Sequence, residues 1–150
     1  MDYDSMQIII NQTKQPAFTE QLHQEIRNYN NQHSPYHQLI RDPQQIQYLN
    51  GQVVIDDEIM GGISCEVYWG WMEINYLWLP AELRHQGIGS QLLKRCEQAA
   101  VELGCSRAMV TTFDFQGLSF YQQQGFQVVG MLENYPPGNN YYWLTKSLVE

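Results

Sequence analysis

Leu77-Trp78-Leu79-Pro80-Ala81-Glu82-Leu83-Arg84-His85-Gln86-Gly87-Ile88-Gly89-Ser90-Gln91-Leu92-Leu93 reads as an apolar strand that passes through a glycine-containing turn into an amphipathic helix. A helix start leaves backbone N–H groups unpaired and carries a partial positive charge, so this junction suits an anion. Glycines at 87 and 89 remove the side chains that would hold a phosphate away. Two phosphate motifs fail on the same residues. A Walker loop needs Gly-x-x-x-x-Gly-Lys-Ser/Thr, but Ser90-Gln91-Leu92 follow Gly89 and the next lysine is Lys94. The fingerprint Gly-x-Gly-x-x-Gly would need a third glycine where Leu92 stands. Alone, Gly-Ile-Gly fits an empty strand-to-helix turn equally well.

Working outward, Gln52 to Ile55, Ile59 to Trp69 and Trp71 to Leu79 read as three successive antiparallel strands joined by acidic and glycine-containing turns. Gly61-Gly62 marks a bulge or a close backbone approach in the middle strand. Ile88, Leu92, Leu93, Cys96, Ala99, Ala100 and Leu103 recur at helical spacing, and Gly104 stops that helix. A strand over Arg107 to Phe113, a helix from about Gln116 to Gln124, and strands over Phe126 to Leu132 and Tyr141 to Ser147 complete the C-terminal half. Upstream, the β-branched run Met6 to Asn11 predicts a first strand. Phe18, Leu22, Ile26 and Tyr29 predict an amphipathic helix over Pro16 to Asn30, and polar His33 to Asn50 predicts a loop with a short helix. The order β-α-β-β-β-α-β-α-β-β is that of an α/β domain with a mixed sheet, a single domain over residues 1–150.

The 150 residues, 43% of them hydrophobic, suffice for one core. Sixteen acidic against 8 basic side chains give a net charge of −8, which opposes a nucleic-acid partner and would attract a cationic one. Cys65, Cys96 and Cys105 are odd in number, lack metal-ligand spacing and follow no secretory signal, so the expectation is a cytoplasmic protein with free thiols and no metal. No apolar run is long enough to span a membrane. A serine hydrolase would need Gly-x-Ser-x-Gly, which is missing.

A second motif follows about 30 residues later: Phe120-Tyr121-Gln122-Gln123-Gln124-Gly125-Phe126. Arg84-His85-Gln86-Gly87-Ile88-Gly89 matches Arg/Gln-x-x-Gly-x-Gly/Ala, and Gly117 to Phe126 approximates Ala-x-x-x-Tyr-x-x-x-Gly-Phe/Tyr with glycine in place of the first alanine. In this order the two resemble the acetyl-CoA signatures of the GNAT N-acetyltransferase superfamily. The segments around Leu77-Trp78-Leu79, Thr112 to Gln116 and Glu133 to Gly138 resemble a bacterial subgroup of mostly unassigned substrate.

The resemblance implies a GNAT fold: a mixed, mostly antiparallel central sheet of about six to seven strands flanked by helices. It also implies acetyl-CoA as acyl donor. Arg84, His85, Gln86, Gly87, Ile88, Gly89 and Ser90 would hold its pyrophosphate through backbone N–H groups, and Leu77, Trp78 and Leu79 would pair with the pantetheine arm. Asp114 stands where the family often has a cofactor-contacting asparagine. Tyr121 would donate to the departing thiolate. Glu73, on the strand leading into the loop, is the first choice of general base, with Tyr76, Asp114 and the histidines as the remaining proton relays. Strand alternation puts Glu73, Asn75, Leu77 and Leu79 on one face and Met72, Ile74, Tyr76 and Trp78 on the other. The expected activity is transfer of acetyl from acetyl-CoA to a primary amine of a small molecule or peptide, the acceptor being cationic if the charge balance is read that way. The alternative is a non-catalytic acyl-CoA sensor or interaction module on the same fold. A homodimer through terminal strands is the assembly the resemblance allows.

Overall fold

In the computed structural model, which describes residues 3–39 and 45–150, the elements in chain order are α1 (Pro16–His33), α2 (Pro35–Leu39), β1 (Gln47–Ile55), β2 (Glu58–Tyr68), β3 (Trp71–Trp78), α3 (Ile88–Glu102), β4 (Arg107–Phe113), α4 (Leu118–Gln123), β5 (Gln127–Leu132) and β6 (Tyr141–Ser147). Short 3-10 turns cover Tyr3–Ser5 and Ala81–Leu83. Two units are distinguished, Met1–Leu39 and Ile40–Glu150.

In the first unit, Pro16 opens α1 at a position where its missing N–H is not needed, and Ser34, extended, ends it. Pro35 then begins α2. The isoleucine run at 8–10 does not become the expected strand: no backbone ladder forms along it, and β-branched propensity without a ladder makes no strand. Of the polar stretch expected to be a loop with a short helix, α2 supplies the helix, β1 starts earlier than expected at Gln47, and residues 40–44 lie outside the described residues.

The second unit is built on a six-stranded sheet in the order β1-β2-β3-β4-β6-β5. All neighbours are antiparallel except β3 and β4, which run parallel because α3 carries the chain back across the sheet. One face is apolar. Ile63, Cys65 and Val67 of β2, Met72 and Ile74 of β3, Ala108 and Val110 of β4 and Leu144 of β6 are buried there, and α3 lays Leu93, Cys96 and Ala100 against them at spacings of three and four. Each large apolar side chain so enclosed contributes about 1.5–3 kcal/mol relative to exposure. Tyr121 of α4 and Phe126 join the same cluster.

Two irregularities shape the sheet around β3. Ser64 faces Tyr76 but Cys65 faces Ile74, so Asn75 is an extra residue, a β-bulge. Alternation therefore slips: Met72, Ile74 and Leu77 point to the core, while Glu73, Asn75, Tyr76 and Trp78 share the other face. The expected grouping of Glu73 with Leu77 against Tyr76 and Trp78 is corrected by this one inserted residue. The second irregularity lies between β1 and β2, where Gly61 and Gly62 mark both a bulge and a close approach. A Cβ on Gly62 would lie 2.0 Å from the Gly51 carbonyl oxygen, and one on Gly61 would lie 2.5 Å from that of Trp78.

Candidate active site

Strands β3 and β4 are paired only from Trp71 to Ile74 and from Arg107 to Val110. Beyond that point, where the bulge bends β3 away, they separate. The facing edges of Asn75 to Leu79 and Thr111 to Phe113 border a wedge that opens through the sheet, and a strand edge without a neighbour presents its backbone donors and acceptors to whatever enters. Leu77, Trp78 and Leu79 form one lip of this wedge.

The chain leaves that lip through Pro80 and the 3-10 turn to the start of α3. Arg84 Nε donates to the Leu79 carbonyl at 2.8 Å and Gln86 Nε2 to the Glu82 carbonyl at 2.7 Å, tying the loop to the strand end. His85 and Gly87 both have positive φ, 60° and 80°, the region only glycine enters without strain. The result is a nest. Among the described residues the backbone N–H groups from His85 through Ser90 meet no protein acceptor, and the first bond of the helix is Gln91 N to Gly87 O at 3.1 Å. A Cβ on Gly87 would have nothing within 4 Å, so that glycine borders open space, whereas one on Gly89 would face Phe120 and Leu79, so Gly89 packs rather than clears room for a ligand. Donors converging at a helix start fit a pyrophosphate.

The second motif folds onto the first. Phe120 lies against the start of α3, 3.5 Å from where a Gly89 Cβ would sit, and Gln124 Nε2 donates to Ser90 Oγ at 2.8 Å. Tyr121 is 6% exposed, held edge-to-face by Phe120 and Phe126 with ring centroids at 5.1 and 5.6 Å. Burial, the larger cause, and the nearby Cys65 group raise its phenol pKa above the ordinary value, so the hydroxyl stays protonated throughout the neutral range. The Tyr121 ring and the Thr112 hydroxyl both border Gly117, which places Tyr121 on the core side beside the edge of β4 that lines the wedge. Its helix is anchored by Thr112, buried at the edge of the wedge, whose Oγ1 accepts the Gly117 N–H at 3.0 Å.

Glu73 lies on the opposite face, in the last paired stretch below the wedge, across from Glu66 and next to Met109. Its Oε2 accepts from the Tyr68 hydroxyl at 2.5 Å, and Asn75 Nδ2 donates to Glu66 Oε1 at 3.0 Å. Burial first and then the Glu73 carboxylate raise the Tyr68 pKa, so Tyr68 remains a donor to that carboxylate. Tyr76 and Trp78 stand exposed on the same face. Asp114 is differently occupied: Oδ1 accepts from Asn139 Nδ2 at 3.0 Å and Oδ2 from the Asn140 N–H at 2.9 Å, so the carboxylate holds the turn between β5 and β6. Residue spacing gave no hint of this clamp or of the Gln124–Ser90 bridge, because their partners are 25 to 34 residues apart, nor of Thr112, five residues before the N–H it holds.

A groove of about 880 Å³ runs from Ser90 along α3 past Lys94 to Lys146, whose Nζ meets both oxygens of Glu97 at 3.0 and 2.6 Å. Among the described residues no group of three or more His, Cys, Asp and Glu side chains could hold a metal ion, and no helix is long and apolar enough to cross a membrane.

Residues 7–126 match the model of the acetyltransferase (GNAT) family. Blasticidin-S acetyltransferase of Streptomyces morookaense is 39% identical over 92 residues, covering 61% of this chain and 68% of that protein. A crystal structure of an acetyltransferase from Bacillus cereus superposes with a TM-score of 0.74 at 27% identity, covering 94% of this chain and 97% of the other. An aminoglycoside 6'-N-acetyltransferase complexed with coenzyme A shares the fold, with a TM-score of 0.60 at 17% identity over 76% of this chain and 78% of its own.

Proposed function

Because the chain belongs to the acetyltransferase (GNAT) family, with acetyl-CoA as its acyl donor, we propose that it is an N-acetyltransferase acting on a primary amine of a small molecule or peptide, as one domain over residues 1–150. The observation that carries this reading is the juxtaposition of an unpaired strand edge, a run of unaccepted N–H groups at its head and a protonated phenol at its side. Acetyl-CoA supplies a thioester carbonyl and a thiolate leaving group.

In this reading the N–H groups of His85 to Ser90 hold the pyrophosphate, that of Arg84 being donated to the Ala81 carbonyl; the main chain of Leu77 to Leu79 hydrogen-bonds the pantetheine arm, and the groove beyond Ser90 and Lys94 receives the nucleotide end. The amine approaches from the face that bears Glu73, which takes its proton as the C–N bond forms. Tyr121, on the other side of the sheet, gives its proton to the sulfur as the C–S bond breaks. Acid and base so placed act on opposite sides of one carbonyl carbon without meeting.

Glu66 and Glu73 side by side, in a protein of net charge −8, favour a cationic acceptor. The compartment we assign is the cytoplasm. The exposed apolar edge of β5, Val129 and Met131, is the surface a homodimer through terminal strands would use, and sedimentation at micromolar concentration tests it.

The deciding experiment is thiol release from acetyl-CoA against polyamines, aminoglycosides, blasticidin S, amino acids and lysine peptides, with Tyr121→Phe in parallel. Amine-dependent release that falls in the variant supports the proposal. Tight acetyl-CoA binding without release for any acceptor points to the sensor instead.

A further inference from the structure

We infer that the acceptor carries its amine on a flat conjugated group, as an arylalkyl or heteroaryl amine, and that this group stacks on an aromatic patch beside the wedge. The inference rests on the reading above that the amine approaches from the face bearing Glu73. Strand alternation places the patch on that face. Thr112 is buried and Tyr142 packs against the core, so Phe113 of β4 and Tyr141 of β6, which face each other in the ladder, both point the other way. Their ring centroids are 4.8 Å apart. Phe115 stacks on Phe113 at 5.2 Å with the planes 7° apart, and Tyr135 lies 6.4 Å from Phe113 and 5.5 Å from Tyr141. On the opposite lip Tyr76 and Trp78 stand on the same face.

These rings are open to a ligand and held still. Phe115 is 61% exposed and Tyr135 53%, and contiguous apolar surface of this kind marks a binding site. Asp114, which stands between the two stacked phenylalanines in the chain, donates its N–H to the Asn140 carbonyl at 3.0 Å while its carboxylate holds Asn139 and Asn140. The Tyr135 N–H in turn donates to the Asn139 carbonyl at 2.8 Å. The loop after β4 and the turn before β6 are thus tied together, and rings fixed in advance lose little freedom when a ligand stacks on them. Reach agrees with this placement. Met109 pairs with Glu73, and Phe113 lies four residues farther along β4, about 13 Å at the rise of a strand. A ring joined to the amine by a short alkyl spacer spans the interval once the side chains at both ends are counted. Charge agrees as well. The faces of the rings and the carboxylates of Glu66 and Glu73 attract an ammonium group, whereas a second copy of this chain, at net charge −8, would bring like charge to them. A purely alkyl polyamine would satisfy the carboxylates and leave the rings bare.

The test compares amines matched in charge and length: 2-phenylethylamine with 2-cyclohexylethylamine, and 4-phenylbutylamine with 4-cyclohexylbutylamine. The readout is kcat/KM with acetyl-CoA for the wild type, Phe115→Leu, Tyr135→Leu and Phe115→Tyr. The wild type should favour the aromatic member of at least one pair by about tenfold. Each leucine variant should cut that ratio by about threefold or more, and Phe115→Tyr, which keeps a ring, should preserve it. Equal kcat/KM within both pairs overturns the inference while leaving the acetyltransferase reading intact, and so does a preference that both leucine variants retain. If the wild type turns over none of the four amines, the same pairs are titrated calorimetrically into the protein saturated with coenzyme A. Tighter binding of the aromatic members, lost in the leucine variants, then upholds the patch even if the proposed activity fails; equal or absent binding overturns it. Sedimentation gives a separate check: a dimer that both leucine variants dissociate would assign the face to a second copy and overturn the inference.

Discussion

The two faces of the wedge between β3 and β4 differ in the groups they present. On the core side and at the head of α3 these are main-chain groups, the N–H run from His85 to Ser90 and the edge of Leu77 to Leu79. On the other face they are side chains: Glu66, Tyr68, Glu73, Asn75, Tyr76 and Trp78. A main-chain site needs only the right φ and an absence of Cβ atoms, so it tolerates exchange of most neighbouring side chains. A side-chain site depends on which face each residue occupies, and one inserted residue changes that for everything beyond it.

The contrast can be broken most severely at the proton donor. Tyr121→Phe should reduce kcat by about 10²–10⁴-fold while calorimetric affinity for acetyl-CoA stays near wild type; a rate within twofold of wild type would remove Tyr121 from the chemistry. Glu73→Gln should cost about 10²-fold or more in kcat/KM for the acceptor and leave donor binding alone, and an unchanged pH–rate profile would send the search for a base elsewhere on that face. Gly87→Val addresses the main-chain side. A β-branched residue held at positive φ costs about 1–3 kcal/mol, so acetyl-CoA should bind on the order of tenfold more weakly or worse. Unaltered affinity by calorimetry would mean the nest does not take the phosphates.

Two smaller effects sharpen the comparison by touching neither face. Glu97→Gln leaves the largely enclosed Lys146 with a weaker partner and should lower stability by about 1–2 kcal/mol without changing the KM for acceptor; a Tm equal to wild type would show the pair to be neutral. Alkaline stability follows from the two raised phenols, Tyr68 and Tyr121. A group that binds its proton more tightly when folded contributes stability that is fully present below its unfolded value, about 10, and is lost as pH rises past it. Tm should therefore be level through the neutral range and fall above pH 10, less steeply in Tyr121→Phe. An identical alkaline slope in that variant would remove Tyr121 as a contributor.

The glycine turn that leads into α3 was legible early because its requirements are local. Gly87 and Gly89 at a strand-to-helix junction announce both the turn and the free donors, and Tyr121 is located by the glycine that stops its own short helix. The helix α3 and the strands β4 and β6 were equally plain, since periodicity reports burial directly. Asn75 was not legible. Nothing in Glu73-Ile74-Asn75-Tyr76 distinguishes a bulge from continued alternation, and the slip is visible only against the register of β2. The isoleucines at 8–10 misled in the opposite sense, carrying strong strand propensity where no ladder forms.

Sequence alone determined the elements whose cause lies within a few residues: helix starts and stops, the glycine turn into α3 with its free N–H groups, the apolar stripes that build one core face. Tertiary structure decided what depends on partners far along the chain. It bent β3 away from β4 at Asn75, turned Tyr76 and Trp78 onto the face of Glu73, engaged both oxygens of Asp114 with Asn139 and Asn140, and bridged Gln124 to Ser90. The reason is geometric: backbone conformation is a local property, whereas register and side-chain contact are properties of pairs, and a single chain position does not reveal its pair.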